Sequence, residues 1–130
     1  MSQGNMGHEA ASGKRLPDVY VKLLDTLDRL DLYTHRALKL YPKYERFLLC
    51  AEIRNSMMTI ERLIVTAWLR YHKQTTFRDL DVEKEVLKRW VIKSLRLGYI
   101  TAGKSIEWIE IIDTLGRQIG GWIKHEKNRV

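Results

Sequence analysis

The sequence predicts an all-α protein folded as an antiparallel up-down-up-down four-helix bundle. Apolar residues recur at intervals of three and four through four segments, and alternation at period two persists nowhere, so no sheet is expected. Short connections between the segments are typical of such bundles. The 130 residues, 45% hydrophobic and 30% charged, suit one globular domain. Residues 1–16 are Gly-, Ser-, Asn- and Ala-rich and predict a disordered tail, which leaves residues 17–130 as the bundle domain.

Prolines, a polar segment and a glycine set the predicted ends of the first three helices. The first is predicted from Asp18 to about Leu40, because Pro17 favours a helix start and Pro42 cannot continue the helix. The second is predicted over about 44–73, and residues 74–77 form a polar break. The third is predicted over about 79–97, with Gly98 as its left-handed stop.

The fourth helix contains three glycines. Thr101 is its predicted N-cap, and its apolar period extends to Trp122. Each of Gly116, Gly120 and Gly121 costs about 1 kcal/mol relative to alanine inside a helix. We therefore expect close packing around these glycines and Trp122, by another helix or a bulky side chain. The alternative is that the helix ends at the last two glycines.

Several function classes are disfavoured by the sequence. No run of 18 apolar residues occurs, so no membrane span and no membrane partner is expected, and the first residues lack the pattern of a secretory signal. Cys50 is the single cysteine, which excludes an internal disulfide, favours a cytoplasmic location and predicts a buried packing residue. We expect no cofactor and no metal, because metal-ligand and phosphate-loop motifs are missing.

An excess of positive charge favours polyanionic partners. The formal net charge is +7 and the pI is near 9.6. Two clusters of cations are the candidate contacts to nucleic acid or a protein partner, the alternative being solvated basic faces. The residues on the third helix are Lys84, Lys88, Arg89, Lys93 and Arg96. The residues around the first turn are Arg36, Lys39, Lys43 and Arg46.

Arg29 and His35 form an R-x5-H pattern that resembles the active-site signature of HEPN ribonucleases, which are also helical bundles. A pattern this loose is expected by chance in a chain this rich in arginine. We interpret the two residues as solvated side chains and expect no catalytic residue and no enzymatic activity. A HEPN-like ribonuclease is the enzymatic alternative.

Two segments resemble the signatures of a known four-helix-bundle family. They are residues 44–49 (YERFLL) and residues 115–124 (LGRQIGGWIK). The family contains the accessory variability determinant (Avd) proteins of diversity-generating retroelements, and its relatives are encoded in intervening sequences of 23S ribosomal RNA genes. The resemblance covers about residues 17–125.

The resemblance implies a non-enzymatic accessory protein. Avd proteins assemble as pentameric barrels and bind the reverse transcriptase of their element together with its template RNA, in support of mutagenic cDNA synthesis. The expected partners are therefore a reverse transcriptase, RNA or DNA, and further copies of the chain in a homopentamer. The alternative is an intervening-sequence-type bundle that binds ribosomal or other RNA.

Overall fold

The computed structural model describes residues 16–128, which contain four α-helices and no strand. The helices are α1 (Asp18–Leu38), α2 (Leu49–Leu69), α3 (Gln74–Arg96) and α4 (Ala102–Asn128), with a 3-10 turn at Lys43–Glu45. The predicted tail lies outside the described residues except for Leu16, which is 6% exposed and belongs to the core. None of the described helices is long and apolar enough to cross a membrane.

One apolar core runs between the helices. It forms where α1 packs against α4, α2 against α3, and α3 against α4. Each helix contributes side chains at the predicted spacing of three and four, which places them on one face. The largest fully buried aliphatic residues are Leu23, Leu27, Leu30, Ile53, Ile60, Ile64, Leu80, Leu87, Ile112 and Leu115. Cys50 is buried among them, as predicted, and burial raises the pKa of its thiol.

Four aromatic side chains close one end of the molecule, here called the aromatic end. Tyr20 stacks on Trp68 with ring centroids 4.4 Å apart, and Trp122 lies 5.0 Å from both Tyr20 and Phe77. These contacts bring together the start of α1, the end of α2, the start of α3 and the last turns of α4. Burial raises the pKa of Tyr20 to about 12, with a smaller contribution from the charge of Glu61.

Three predicted helix boundaries are wrong. The second helix ends at Leu69 instead of at about residue 73, because Arg70 is extended. The second helix starts at Leu49, because the 3-10 turn and the residues after it occupy the chain that was assigned to helix. The predicted polar break at residues 74–77 is the first turn of α3. Phe77 is 7% exposed against Trp122, and this contact holds a polar helix start in place.

The fourth helix continues through its glycines, so the alternative that it ends at Gly120 and Gly121 is wrong. A Cβ added at Gly116 would lie 3.1 Å from the Cδ and Nζ atoms of Lys84, so a long side chain packs there. A Cβ at Gly121 would lie 3.8 Å from Val19, an ordinary contact. At Gly120 nothing described lies within 4 Å, so the expected close packing is absent there within one chain.

The predicted stop of the third helix at Gly98 and the predicted N-cap of the fourth helix at Thr101 are confirmed. Gly98 has a φ of +80°, and the backbone N–H groups of Gly98 and Tyr99 donate to the carbonyls of Leu95 and Ser94 at the end of α3. The hydroxyl of Thr101 accepts the backbone N–H of Lys104 at 3.2 Å, which is the predicted cap.

Candidate nucleic-acid interface

Parts of the two basic clusters, which the sequence separates by about 50 residues, share one end of the molecule. The hydroxyl of Tyr41 donates to Ser94 Oγ at 2.5 Å, and its ring lies 5.2 Å from that of Tyr99. The turn after α1 is thereby fastened to the end of α3. The exposed cations on the joined segments, here called the basic end, are Lys39, Lys43, Arg46, Lys93 and Arg96.

A buried carboxylate organises this end. Glu45 is 8% exposed, and its Oε2 accepts the hydroxyl of Tyr99 at 2.6 Å. Its Oε1 accepts the backbone N–H of Leu49 at 3.2 Å, which satisfies a donor in the first turn of α2. The hydroxyls of Tyr44 and Tyr99 lie 3.1 Å apart. The negative charge of Glu45 is thus used inside the protein, while the neighbouring cations point outward.

Two phenols of this network, Tyr99 and Tyr41, have a raised pKa. The hydrogen bond to Glu45 is the largest influence that raises the pKa of Tyr99. Burial raises the pKa of Tyr41 to about 12, although its hydrogen bond to Ser94 lowers it in part. Both phenols therefore remain donors, and the network holds the turn between α1 and α2 against the end of α3.

Two of the five predicted residues on α3 are engaged inside the protein. Lys84 Nζ lies 3.1 Å from Glu85 and 3.4 Å from Asp81, and its side chain is only 14% exposed. Burial lowers the pKa of Lys84, but the hydrogen bond to Glu85 and the nearby carboxylates outweigh that effect and raise it. Lys88 reaches Asp113 on α4 at 2.8 Å. Lys84 is therefore paired within α3, and Lys88 links α3 to α4.

The other three predicted residues on α3 are exposed. Arg89, Lys93 and Arg96 follow one another at spacings of four and three, and within residues 16–128 none makes an ion pair. Lys93 Nζ lies 5.2 Å from the centre of the Trp90 ring, a cation–π contact that fixes the lysine without neutralising it. This stripe leads along α3 to the basic end.

Arg36 faces a different surface from the rest of its cluster. It lines a groove of about 500 Å³ between α1 and α4, together with Arg29 and Arg117. Leu32 and Ile111 are the aliphatic residues that line the groove.

Comparison with protein families matches residues 22–126 of the chain to the family described as bAvd-like. The chain belongs to the bAvd-like family. The match spans all four helices and includes every residue of the basic end. The resemblance inferred from residues 44–49 and 115–124 is thereby confirmed. No match was found among curated proteins.

Sequence reasoning missed one cation and one aromatic residue at the basic end of this bAvd-like chain. Lys104 is exposed in the first turn of α4, and its carbonyl accepts the hydroxyl of Tyr33 at 3.0 Å, which places it beside α1. Tyr44 is 69% exposed between Lys43 and Arg46. Tyr44 could have been predicted as part of the basic end from the sequence, because it lies between Lys43 and Arg46. Lys104 could not, because its place at this end depends on the packing of α4 against α1.

The bAvd-like bundle does not bring the R-x5-H pair together at its groove. Arg29 lines the α1–α4 groove, whereas His35, also exposed, is not among the lining residues. Within residues 16–128, no group of three or more His, Cys, Asp or Glu side chains is arranged to hold a metal ion.

Proposed function

We propose that this bAvd-like chain is a non-enzymatic accessory protein of a diversity-generating retroelement, which binds the reverse transcriptase of the element and its template RNA. The basic end is the surface that contacts RNA. Membership of the bAvd-like family supports the accessory role. The single observation that carries the RNA surface is the joining of two cationic segments through Tyr41, Ser94, Tyr99 and Glu45.

The charge arrangement supports contact with phosphates. Lys39, Lys43 and Arg46 lie on one segment and Lys93 and Arg96 on the other, and all five are exposed. Such contacts attract a polyanion without reading its sequence, which suits a protein that assists copying of whatever template its element carries.

The proposed bundle has helices that alternate in direction, and copies of it assemble into a homopentamer as the resemblance implies. Contacts at both ends support the alternation: Tyr20 at the start of α1 meets Trp122 near the end of α4, and Tyr33 near the end of α1 meets Lys104 at the start of α4. Alternating helices place the last turn of α3 and the turn after α1 at one end.

The RNA surface is tested by two matched quadruple variants. One replaces Lys39, Lys43, Lys93 and Arg96 by alanine, and the other replaces an equal set of exposed cations elsewhere. The second set is Lys22, Arg78, Lys124 and Lys127. Each variant removes three lysines and one arginine, so both lower the net charge by the same amount. Affinity for a labelled single-stranded RNA is measured by fluorescence anisotropy over a range of salt concentrations.

We expect the basic-end variant to bind more weakly and to show a shallower salt dependence. The slope of log affinity against log salt should fall by about 0.7 for each RNA phosphate that the variant no longer neutralises. The control variant should keep most of the wild-type slope. Equal losses of affinity in both variants would show that only net charge matters, and an unchanged slope in the basic-end variant would exclude this surface.

Binding of the polymerase needs a separate measurement. The chain is mixed with the reverse transcriptase encoded in the same element and its template RNA, and cDNA synthesis is compared with and without the chain. We expect cDNA synthesis to require the chain. Equal synthesis in its absence, together with no co-purification of the polymerase, would contradict the accessory role.

A further inference from the structure

Three exposed apolar side chains line one outward face of α2. Met58, Val65 and Leu69 are 61%, 44% and 75% exposed, and their spacings of seven and four place them in one line along the helix. Glu61 and Arg62 flank this line on opposite sides, because successive residues are about 100° apart around a helix. We call this surface the α2 ridge. Grouped exposed apolar residues of this kind mark contact surfaces.

Glu61, on the acidic flank of the α2 ridge, forms no ion pair within residues 16–128. The negative charges of Asp28 and Asp31 on α1 act on it. Burial raises the pKa of Glu61, and the two aspartates raise it further. A carboxylate on which two other negative charges act would be stabilised by positive groups brought from outside the chain.

The groove between α1 and α4 has the complementary character. Leu32, which is 48% exposed, and Ile111 supply its aliphatic lining. Arg29 and Arg36 come from α1, whereas Glu107, Glu110 and Arg117 come from α4. The groove therefore offers an apolar lining with two arginines on the α1 wall and a net negative charge on the α4 wall, where two carboxylates outnumber one arginine.

We propose that the α2 ridge of one copy packs into the α1–α4 groove of a second copy. In one of the two possible helix directions, Glu61 faces Arg29 and Arg36 while Arg62 faces Glu110. A chain with a net charge of +7 repels its own copies, so association needs local pairs of opposite charge such as these. That the same chain carries both members of each pair favours a second copy over an unrelated protein as the occupant.

The contact joins two different surfaces and is therefore heterologous. Each copy keeps a free ridge at one side and a free groove at the other, so repetition builds a closed ring when the rotation between copies closes. This inference rests on the assembly part of the proposed function and names the two surfaces that meet. It leaves the basic end outside the contact, because Lys39, Lys43, Arg46, Lys93 and Arg96 belong to neither surface.

Charge reversal on each surface tests the pairing. Glu61→Arg alters only the ridge and Arg36→Glu alters only the groove. Masses in solution are measured by light scattering after gel filtration, with circular dichroism to verify helix content. We expect an oligomeric wild type and at least about tenfold weaker association for each variant, because like charges then oppose each other across the contact. Asp79→Arg and Arg78→Glu make the same charge changes at exposed positions outside both surfaces and should leave the mass unchanged.

Mixing the two charge-reversed variants is the decisive experiment. The intact ridge of the Arg36→Glu chain can enter the intact groove of the Glu61→Arg chain, so the mixture should associate although each variant alone does not. A monomeric wild type would overturn both this inference and the proposed assembly. An oligomeric wild type with unaffected variants, or a mixture that stays dissociated, would overturn only the ridge-and-groove pairing.

Discussion

The two ends of the bundle are closed by different chemistry. At the aromatic end, Tyr20, Trp68, Phe77 and Trp122 pack ring against ring at centroid distances of 4.4 to 5.0 Å. At the basic end, tyrosine hydroxyls bind a buried carboxylate and a serine. Apolar packing contributes stability in proportion to area, whereas hydrogen bonds add less net stability and more directional order. The comparison suggests that one end holds the helices together and the other orients exposed cations.

Trp122→Ala is the variant expected to lower the stability of the aromatic end most. The side chain is fully buried between Tyr20 and Phe77, so its removal should lower the free energy of unfolding by about 3–5 kcal/mol. Denaturant unfolding followed by circular dichroism measures this decrease. Trp122→Phe keeps part of the packing and should be less destabilised. RNA affinity of the folded protein should stay at the wild-type value, and a large fall in it would show that the two ends are not separable.

Glu45→Ala should disrupt the hydrogen-bond network of the basic end and lower the free energy of unfolding less than Trp122→Ala does. It removes the acceptor of Leu49 N–H and of the Tyr99 hydroxyl, which should cost about 1–3 kcal/mol. Net charge becomes more positive, yet we expect RNA to bind more weakly because the cations lose their fixed placement.

Glu52→Ala provides the matched control for that variant. Glu52 is exposed in the first turn of α2, and its removal changes the net charge by the same amount. RNA affinity should rise slightly in this control. If Glu45→Ala raised the affinity as well, charge alone would explain binding and the ordering role of Glu45 would be contradicted.

The sequence predicts the four helices because each carries a long apolar period, and it predicts the stop at Gly98 because only glycine adopts that backbone readily. It misplaces the start of α2 for a physical reason. Phe47 fits the helical spacing, but it lies in the turn between the 3-10 segment and α2, and its side chain is 82% exposed. The side chain of Glu45 accepts the backbone N–H of Leu49 in the first turn of α2. The spacing of apolar residues carries no information about this hydrogen bond.

The candidate site was predicted only in part because its assembly depends on contacts between distant segments. Lys84 and Lys93 look alike in the sequence of α3. Lys84 is half-buried over Gly116 and paired with acidic neighbours, whereas Lys93 is exposed over Trp90. The difference comes from the position of α4, which the third helix alone does not encode. The joining of two basic clusters likewise depends on Tyr41 reaching Ser94.

The smallest expected effects come from two glycines, one toward each end, and they have opposite signs. Gly98→Ala places a Cβ at a φ of +80° near the basic end, which should cost about 1–2 kcal/mol. Gly120→Ala adds a Cβ in open space within a helix near the aromatic end and should raise the free energy of unfolding by about 0.5–1 kcal/mol. Both are measured by denaturant unfolding at one protein concentration. Destabilisation by Gly120→Ala would mean that another copy of the chain approaches α4 at this position, and the ridge and groove would then not be its only contact surfaces.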